Sequence, residues 1–215
     1  MQEKVLELCQ KPEAMRDDQW EVEFLTSFPQ ARLELISDQA QQGPDHMPYF
    51  LVRTSAESAE PAQTLLEWLK DKGIGLAVNP HKQLPDYIFT YGMLWNYCET
   101  GQFFSQDMAK QDLDGVIKLE EGQKIQAGAP SQEYLPEYVR EILRQFFAEQ
   151  EVENMKVLVI SEDQENYDLC FSSDALGFPP EEEHEGILEA ISWFLPPHYG
   201  LVLLPEEGLP DFINL

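Results

Sequence analysis

Apolar residues recur at helical spacing in three stretches of the chain. In residues 60–73, Ala62, Leu65, Leu66 and Leu69 fall at i, i+3, i+4 and i+7, which predicts a short amphipathic helix with one buried stripe. Pro61 suits its first turn, and Gly73 suits a left-handed C-terminal cap. Leu135, Val139, Ile142, Leu143 and Phe146 mark a second helical face. Pro136 fits the first position of that helix, and Glu137 with Arg140 and Glu141 with Arg144 can pair on its outside. Ile187, Leu188, Ile191, Phe194 and Leu195 mark a third helix over 181–195, which Pro196 and Pro197 stop. A shorter helix is expected from Met93 to about Thr100, ending at Gly101.

Between these helices lie apolar segments bounded by Gly, Pro, Asn and Asp, and they read as strands: 31–37, 48–54, 74–79 and 86–92 in the first half. Residues 105–133 are more polar, and only Gly115–Leu119 reads as a strand there. Past the Gly and Pro cluster at 128–131, residues 155–161 are apolar nearly throughout, as in a strand buried on both faces. In 166–172, Tyr167, Leu169 and Phe171 alternate with Asp168 and Cys170, as in a strand with one solvated side that forms a hairpin with the one before. A last strand is expected at Gly200–Leu204. No repeat of fixed short period is present. The expected fold class is α+β, with two small subdomains at 1–130 and 131–215, each a mainly antiparallel sheet packed against helices.

Charge narrows the possible partners. Forty acidic against 14 basic residues give a formal net charge of −26 over 215 residues. Lys156 is the last basic residue, and 13 acidic residues follow it. Phosphate binding rests on Lys and Arg, so direct nucleic-acid binding and binding to an anionic membrane are not expected. The acidity has two readings, solubility alone or a surface that meets a basic protein. Cys9, Cys98 and Cys170 are too few and too scattered for a disulfide framework or a structural zinc site, which fits a reducing compartment. The N-terminus lacks a signal-peptide pattern, and no apolar run approaches the ~18 to 20 residues that span a bilayer. A cytoplasmic location is therefore expected.

The order of elements over 135–204, with LPEYVREILRQFFAEQEVENMKVLVI leading into the hairpin and ILEAISWFLPPHYGLVLL closing it, resembles the C-terminal domain of the SseB (enhanced serine sensitivity) family. DYIFTYGMLWNYCETG at 86–101 is similar to that family's N-terminal domain at the point where a Phe-Thr pair, here Phe89-Thr90, ends a strand ahead of a helix. The resemblance implies a bacterial cytoplasmic protein and carries no catalytic residues over.

Chemistry-bearing residues are sparse. Cys98 and His81 allow a thiolate activated by imidazole only formally, because Cys98 sits on a short helix and His81 in a turn. The run Glu181, Glu182, Glu183, His184, Glu185 could ligate a divalent ion, but neighbouring residues at a helix start fan outward, and a solvated acidic N-terminus is the simpler reading. Glycines form no phosphate loop, and Ser172 and Ser173 lack a nucleophile elbow. No catalytic, cofactor-binding or metal-ligating residue is assigned, and no cofactor is expected. Among the aromatics, Tyr91, Trp95 and Tyr97 cluster in one half and Trp193, Phe194 and Tyr199 in the other. Most should be core, and a surface subset ringed by carboxylates would suit an interface. The reading is a non-enzymatic acidic protein that binds another protein, a basic one fitting best, as an inhibitor, immunity factor or chaperone would. Glu181, Glu182, Glu183 and Glu185 would be its contact residues. The alternative is an enzyme or small-metabolite binder using a cleft between the halves.

Overall fold

Trp20, Phe24 and Phe28 follow one another at four-residue intervals and stack in series, with Trp20–Phe24 and Phe24–Phe28 ring centroids 5.1 and 5.4 Å apart. That spacing builds α2 (Asp18–Ser27), whose N-cap Asp17 accepts from Trp20 N at 2.9 Å. Before it runs α1 (Gln2–Gln10), tied down by Trp20 Nε1, which donates to Leu8 O at 3.0 Å. The sequence reading did not anticipate either helix. The computed structural model describes residues 2–58, 61–82, 84–104, 126–161 and 166–215, so the strand expected at Gly115–Leu119 lies outside the described residues.

Two compact units result, Met1–Phe103 and Phe104–Leu215. In the first, β1 (Leu33–Leu35), β2 (Gln41–Gln42), β3 (Pro48–Thr54), β4 (Gly75–Val78) and β5 (Tyr87–Phe89) form one sheet in the order β1-β3-β4-β5, with β2 also on β3. The amphipathic stripe at 60–73 forms α3 (Ala62–Leu69), which buries Ala62, Leu66 and Leu69. Pro61 is its N-cap, and Gly73 takes a left-handed φ of 66°. Because α3 crosses over, β3 and β4 run parallel, whereas β1–β3, β2–β3 and β4–β5 are antiparallel. Thr90 caps α4 (Tyr91–Thr100), and Gly101 closes it at φ 76°.

The second unit has β6 (Gln126–Gly128), α5 (Glu137–Glu149), β7 (Lys156–Ser161), β8 (Asp168–Ser172), α6 (Glu181–Ser192), β9 (Gly200–Leu204) and β10 (Ile213–Asn214). Its sheet runs β10-β7-β8-β9, and β6 also pairs with β7. β6 therefore belongs to this sheet although it precedes the division read from the sequence at 130–131. Again three of the four pairings are antiparallel, and the parallel one, β8–β9, is bridged by a helix, α6. On α5 the buried face is Val139, Arg140, Leu143 and Phe147. Arg140 does not pair with Glu137; it turns inward and donates to Leu135 O at 2.8 Å and Pro130 O at 2.7 Å. Arg144 takes both carboxylates instead, Glu141 at 2.7 Å and Glu137 at 2.6 Å.

A common module emerges. In each unit a helix precedes two antiparallel strands, and a second helix then crosses over to a third strand parallel to the second: α2-β1-β3-α3-β4 and α5-β7-β8-α6-β9. Both crossover helices have a proline N-cap, Pro61 and Pro180. Both parallel strands open on glycine and run to proline, Gly75-Leu76-Ala77-Val78-Asn79-Pro80 and Gly200-Leu201-Val202-Leu203-Leu204-Pro205. A Cβ on Gly75 would lie 2.6 Å from the backbone Phe89 O, a close approach that explains glycine there, while one on Gly200 would meet only the end of the Asp168 side chain.

Candidate interaction surface

Glu181, Glu182, Glu183 and Glu185 lie in the first turns of α6, whose macrodipole favours negative charge there. All four are exposed, and among the described residues none of them forms an ion pair. His184 is partly buried, its Nε2 3.0 Å from Pro179 O, and no group of three His, Cys, Asp or Glu converges on a metal position among the described residues. The residue ahead of this run is distinctive. Phe178 is 68% exposed and held at a left-handed φ of 58°, a conformation that costs a non-glycine residue about 1–2 kcal/mol. Its N–H donates to Ser173 O at 2.9 Å, which fixes the turn between β8 and α6.

The same end of the sheet carries more carboxylates. Open parallel strands place their loops at the carboxyl ends, where ligands usually meet α/β folds. At the ends of β8 and β9 a groove of ≈570 Å³ is lined by Glu151, Glu153, Asp174 and Glu206, with Lys156 and Asn154 among its polar walls. Lys156 Nζ spends its charge on Glu206, 2.8 Å away, and Ser172 Oγ donates to the same carboxylate at 2.7 Å. These bonds hold Glu206 below the usual carboxylate range, the Lys156 bond contributing most. Glu206 N in turn donates to Asp174 Oδ2 at 3.0 Å. Sequence reasoning missed Glu151, Glu153, Asp174 and Glu206, because they come from three separate loops and share no spacing; the thinning of basic residues past Lys156 was the one available signal.

In the first unit the carboxyl ends of β3 and β4 are filled from within. Asn79, at φ 53°, ends β4 and accepts from Thr54 N at 2.9 Å. Its amide donates to Asp86 Oδ2 at 2.6 Å. Asp86, whose side chain is 1% exposed, also binds Arg16 at 2.6 Å and Lys82 at 2.5 Å. Burial opposes its charge, yet the hydrogen bonds from Lys82, Arg16 and Asn79 outweigh that and hold its carboxyl below the ordinary value. Lys82 Nζ reaches on to Cys9 O at 2.7 Å, and Arg16 stacks over Trp20, 4.6 Å from the ring centroid, so α1 and α2 are stitched to the sheet.

Cys98 and His81 are not brought together. His81 is exposed in a turn, while Cys98 Sγ donates to Leu66 O at 3.4 Å, with burial pushing the thiol up to about 11. Burial raises Cys9 and Cys170 to about 12 as well, so none of the three is a thiolate at neutral pH. Of the aromatics singled out from the sequence, Tyr91, Trp95, Trp193 and Phe194 are buried, and Tyr97 and Tyr199 are partly so. The surface aromatic beside the acidic run is Phe178. No known protein family, curated protein or solved structure matches the chain. Among the described residues, no helix is long and apolar enough to cross a membrane.

Proposed function

We propose that this protein is a non-enzymatic acidic interaction module that binds a basic protein, of the inhibitor, immunity or chaperone type, in a cytoplasmic and SseB-like setting. Its contact surface is the carboxyl end of the β8–β9 pair, with Glu181, Glu182, Glu183 and Glu185 on one side and the groove carboxylates on the other. The observation that carries this reading is the lack of counter-charge: among the described residues the four glutamates are exposed and form no ion pair, and the groove's lysine is already neutralised by Glu206. Solubility alone does not call for one end of a sheet to be nearly free of cations. Phe178 adds an exposed aromatic next to these carboxylates, the combination that anchors interfaces.

Affinity purification at low and moderate salt tests the reading. Complementary charge mainly speeds encounter, so capture of a basic partner should fall as the Debye length shrinks from ~10 Å at 0.1 M to ~3 Å at 1 M. Reversing Glu181, Glu182, Glu183 and Glu185 to Lys should slow association at least about tenfold at low salt. Phe178→Gly should instead speed dissociation, with stability unchanged or raised by up to about 1 kcal/mol as the left-handed strain is relieved. An unchanged association rate for the charge-reversed protein across the salt series would sink the proposal.

A further inference from the structure

Alternate residues of a parallel strand turn both backbone groups toward the same neighbour. Ser173 N donates to Leu204 O at 3.0 Å, so Leu204, Val202 and Gly200 face β8. Leu201 and Leu203 therefore aim their N–H and C=O groups away from β8, where no strand pairs with β9 among the described residues. The opposite margin of this sheet is taken by β10 and β6, both on β7.

The first unit shows what this position accommodates. Asn79 N donates to Val52 O at 2.8 Å, so Leu76 and Val78 on β4 face away from β3. There β5 lies antiparallel, with Leu76 opposite Phe89, Ala77 opposite Ile88 and Val78 opposite Tyr87. Matching Gly200 to Gly75 puts Leu201, Val202 and Leu203 where Leu76, Ala77 and Val78 stand. The module thus accepts an antiparallel strand at this edge, and in the second unit no strand takes that place among the described residues. Proteins usually blunt such an edge with Lys, Pro or a bulge, but Leu201–Leu204 contains no charge and no proline, and its register with β8 is unbroken over five pairs.

We propose that β9 accepts an extended segment of a basic protein as an added antiparallel strand, apolar opposite Leu201 and Leu203 and flanked by Lys or Arg. This rests on the basic-partner reading and gives it a docking geometry. Charge selects the occupant. A second copy would bring −26 against −26, whereas cationic flanks meet the exposed Glu207 just beyond β9.

The test uses the full chain and a fluorescent peptide with the Tyr-Ile-Phe triplet of β5 between two pairs of lysines. Three comparisons accompany it: the peptide N-methylated at the triplet amides, the peptide with glutamate flanks, and the protein variant Leu201→Pro, which removes one outward N–H. The lysine-flanked peptide should bind, and N-methylation should weaken it at least about tenfold, since backbone hydrogen bonds are lost while charge is kept. Leu201→Pro should weaken it similarly, and glutamate flanks should abolish binding. Equal affinity for the N-methylated peptide, or no binding of the lysine-flanked one, overturns the added strand. Equal affinity for lysine and glutamate flanks overturns the basic-partner reading itself. Self-association of the protein alone that disappears in Leu201→Pro would make the occupant a second copy and also overturn the proposal.

Discussion

At the carboxyl end of its parallel strands the first unit is closed, and the second is not. Thr54, Asn79 and Asp86 converge there with Arg16 and Lys82 on a buried carboxylate whose hydrogen bonds are filled by the protein itself. The equivalent end of β8–β9 holds Glu206 and Ser172 with a single lysine, beside a groove rimmed by further acids. The lateral edges differ in the same sense, because β5 covers β4 and no described strand covers β9. One module has turned its loops and edge inward to anchor α1 and α2; in the other, among the described residues, no buried network fills the strand ends and no strand covers the edge. The second sheet does protect its apolar face, where Leu209 and Phe212 pack against Leu158, Ile160, Cys170 and Val202. In the first sheet Ile88, in the same row as the buried Ala77, is 40% exposed. Among the described residues, what sets the second unit apart is thus its edge and its polar rim.

The largest expected effect comes from breaking the closed end. Asp86→Ala leaves Arg16 and Lys82 facing one another without the carboxylate and should cost about 3 kcal/mol, the lower range for a broken buried pair because both cations can reach water. Lys156→Ala at the open end removes a pair that is partly exposed on both sides and should cost no more than about 1 kcal/mol. Chemical denaturation followed by tryptophan fluorescence reads both, with Trp20, Trp68 and Trp95 in the first unit and Trp193 in the second.

The paired glycines give the next contrast. Gly75→Ala drives a methyl group against the Phe89 carbonyl at 2.6 Å and the Tyr49 ring at 2.8 Å, and should destabilise by about 2 kcal/mol. Gly200→Ala displaces only the end of the Asp168 side chain, which can rotate, and should cost less than about 1 kcal/mol. Equal costs would mean that β9 is packed as tightly at its edge as β4 is inside its sheet.

Acid should separate the units more gently. The Asp86 pKa is depressed in the fold, so its contribution is fully present above the unfolded value near ~3.9 and is lost as pH falls through and below it. Asp86→Asn should flatten that part of the stability profile between about pH 5 and pH 2, measured by denaturation midpoints in a pH series. If the wild-type and Asp86→Asn profiles stay parallel, the network is not the source of acid sensitivity.

Much of the fold could be read from the amino acids because its stripes are simple. Ala62, Leu66 and Leu69 specify α3, and the apolar runs at 48–54 and 200–204 are strands with those bounds. The N-terminal helices escaped notice because their buried residues, Val5, Leu8, Trp20 and Phe24, are separated by acids and lack the leucine density of the other stripes. Parallel pairing escaped because strand direction depends on where a crossover helix returns, not on the strand's own pattern. Of the candidate surface, only the run at Glu181–Glu185 is continuous in sequence. Arg140 misled for a related reason: its spacing from Glu137 fits a surface pair, but the carbonyls of Pro130 and Leu135 offer a buried guanidinium two partners.

The position of Lys156 has a practical consequence for watching the second sheet open. It is the last basic residue and stands at the start of a strand with neighbours on both sides, its ammonium held by Glu206. A protease that cuts only after lysine or arginine therefore has one place to release residues 157–215, the Lys156–Val157 bond, and β7 must leave its neighbours before that bond can enter an active site. When reclosing outpaces cutting, the rate at which this fragment accumulates, set against the rates of cutting at the 13 other lysines and arginines, reads the free energy of the opening that frees β7.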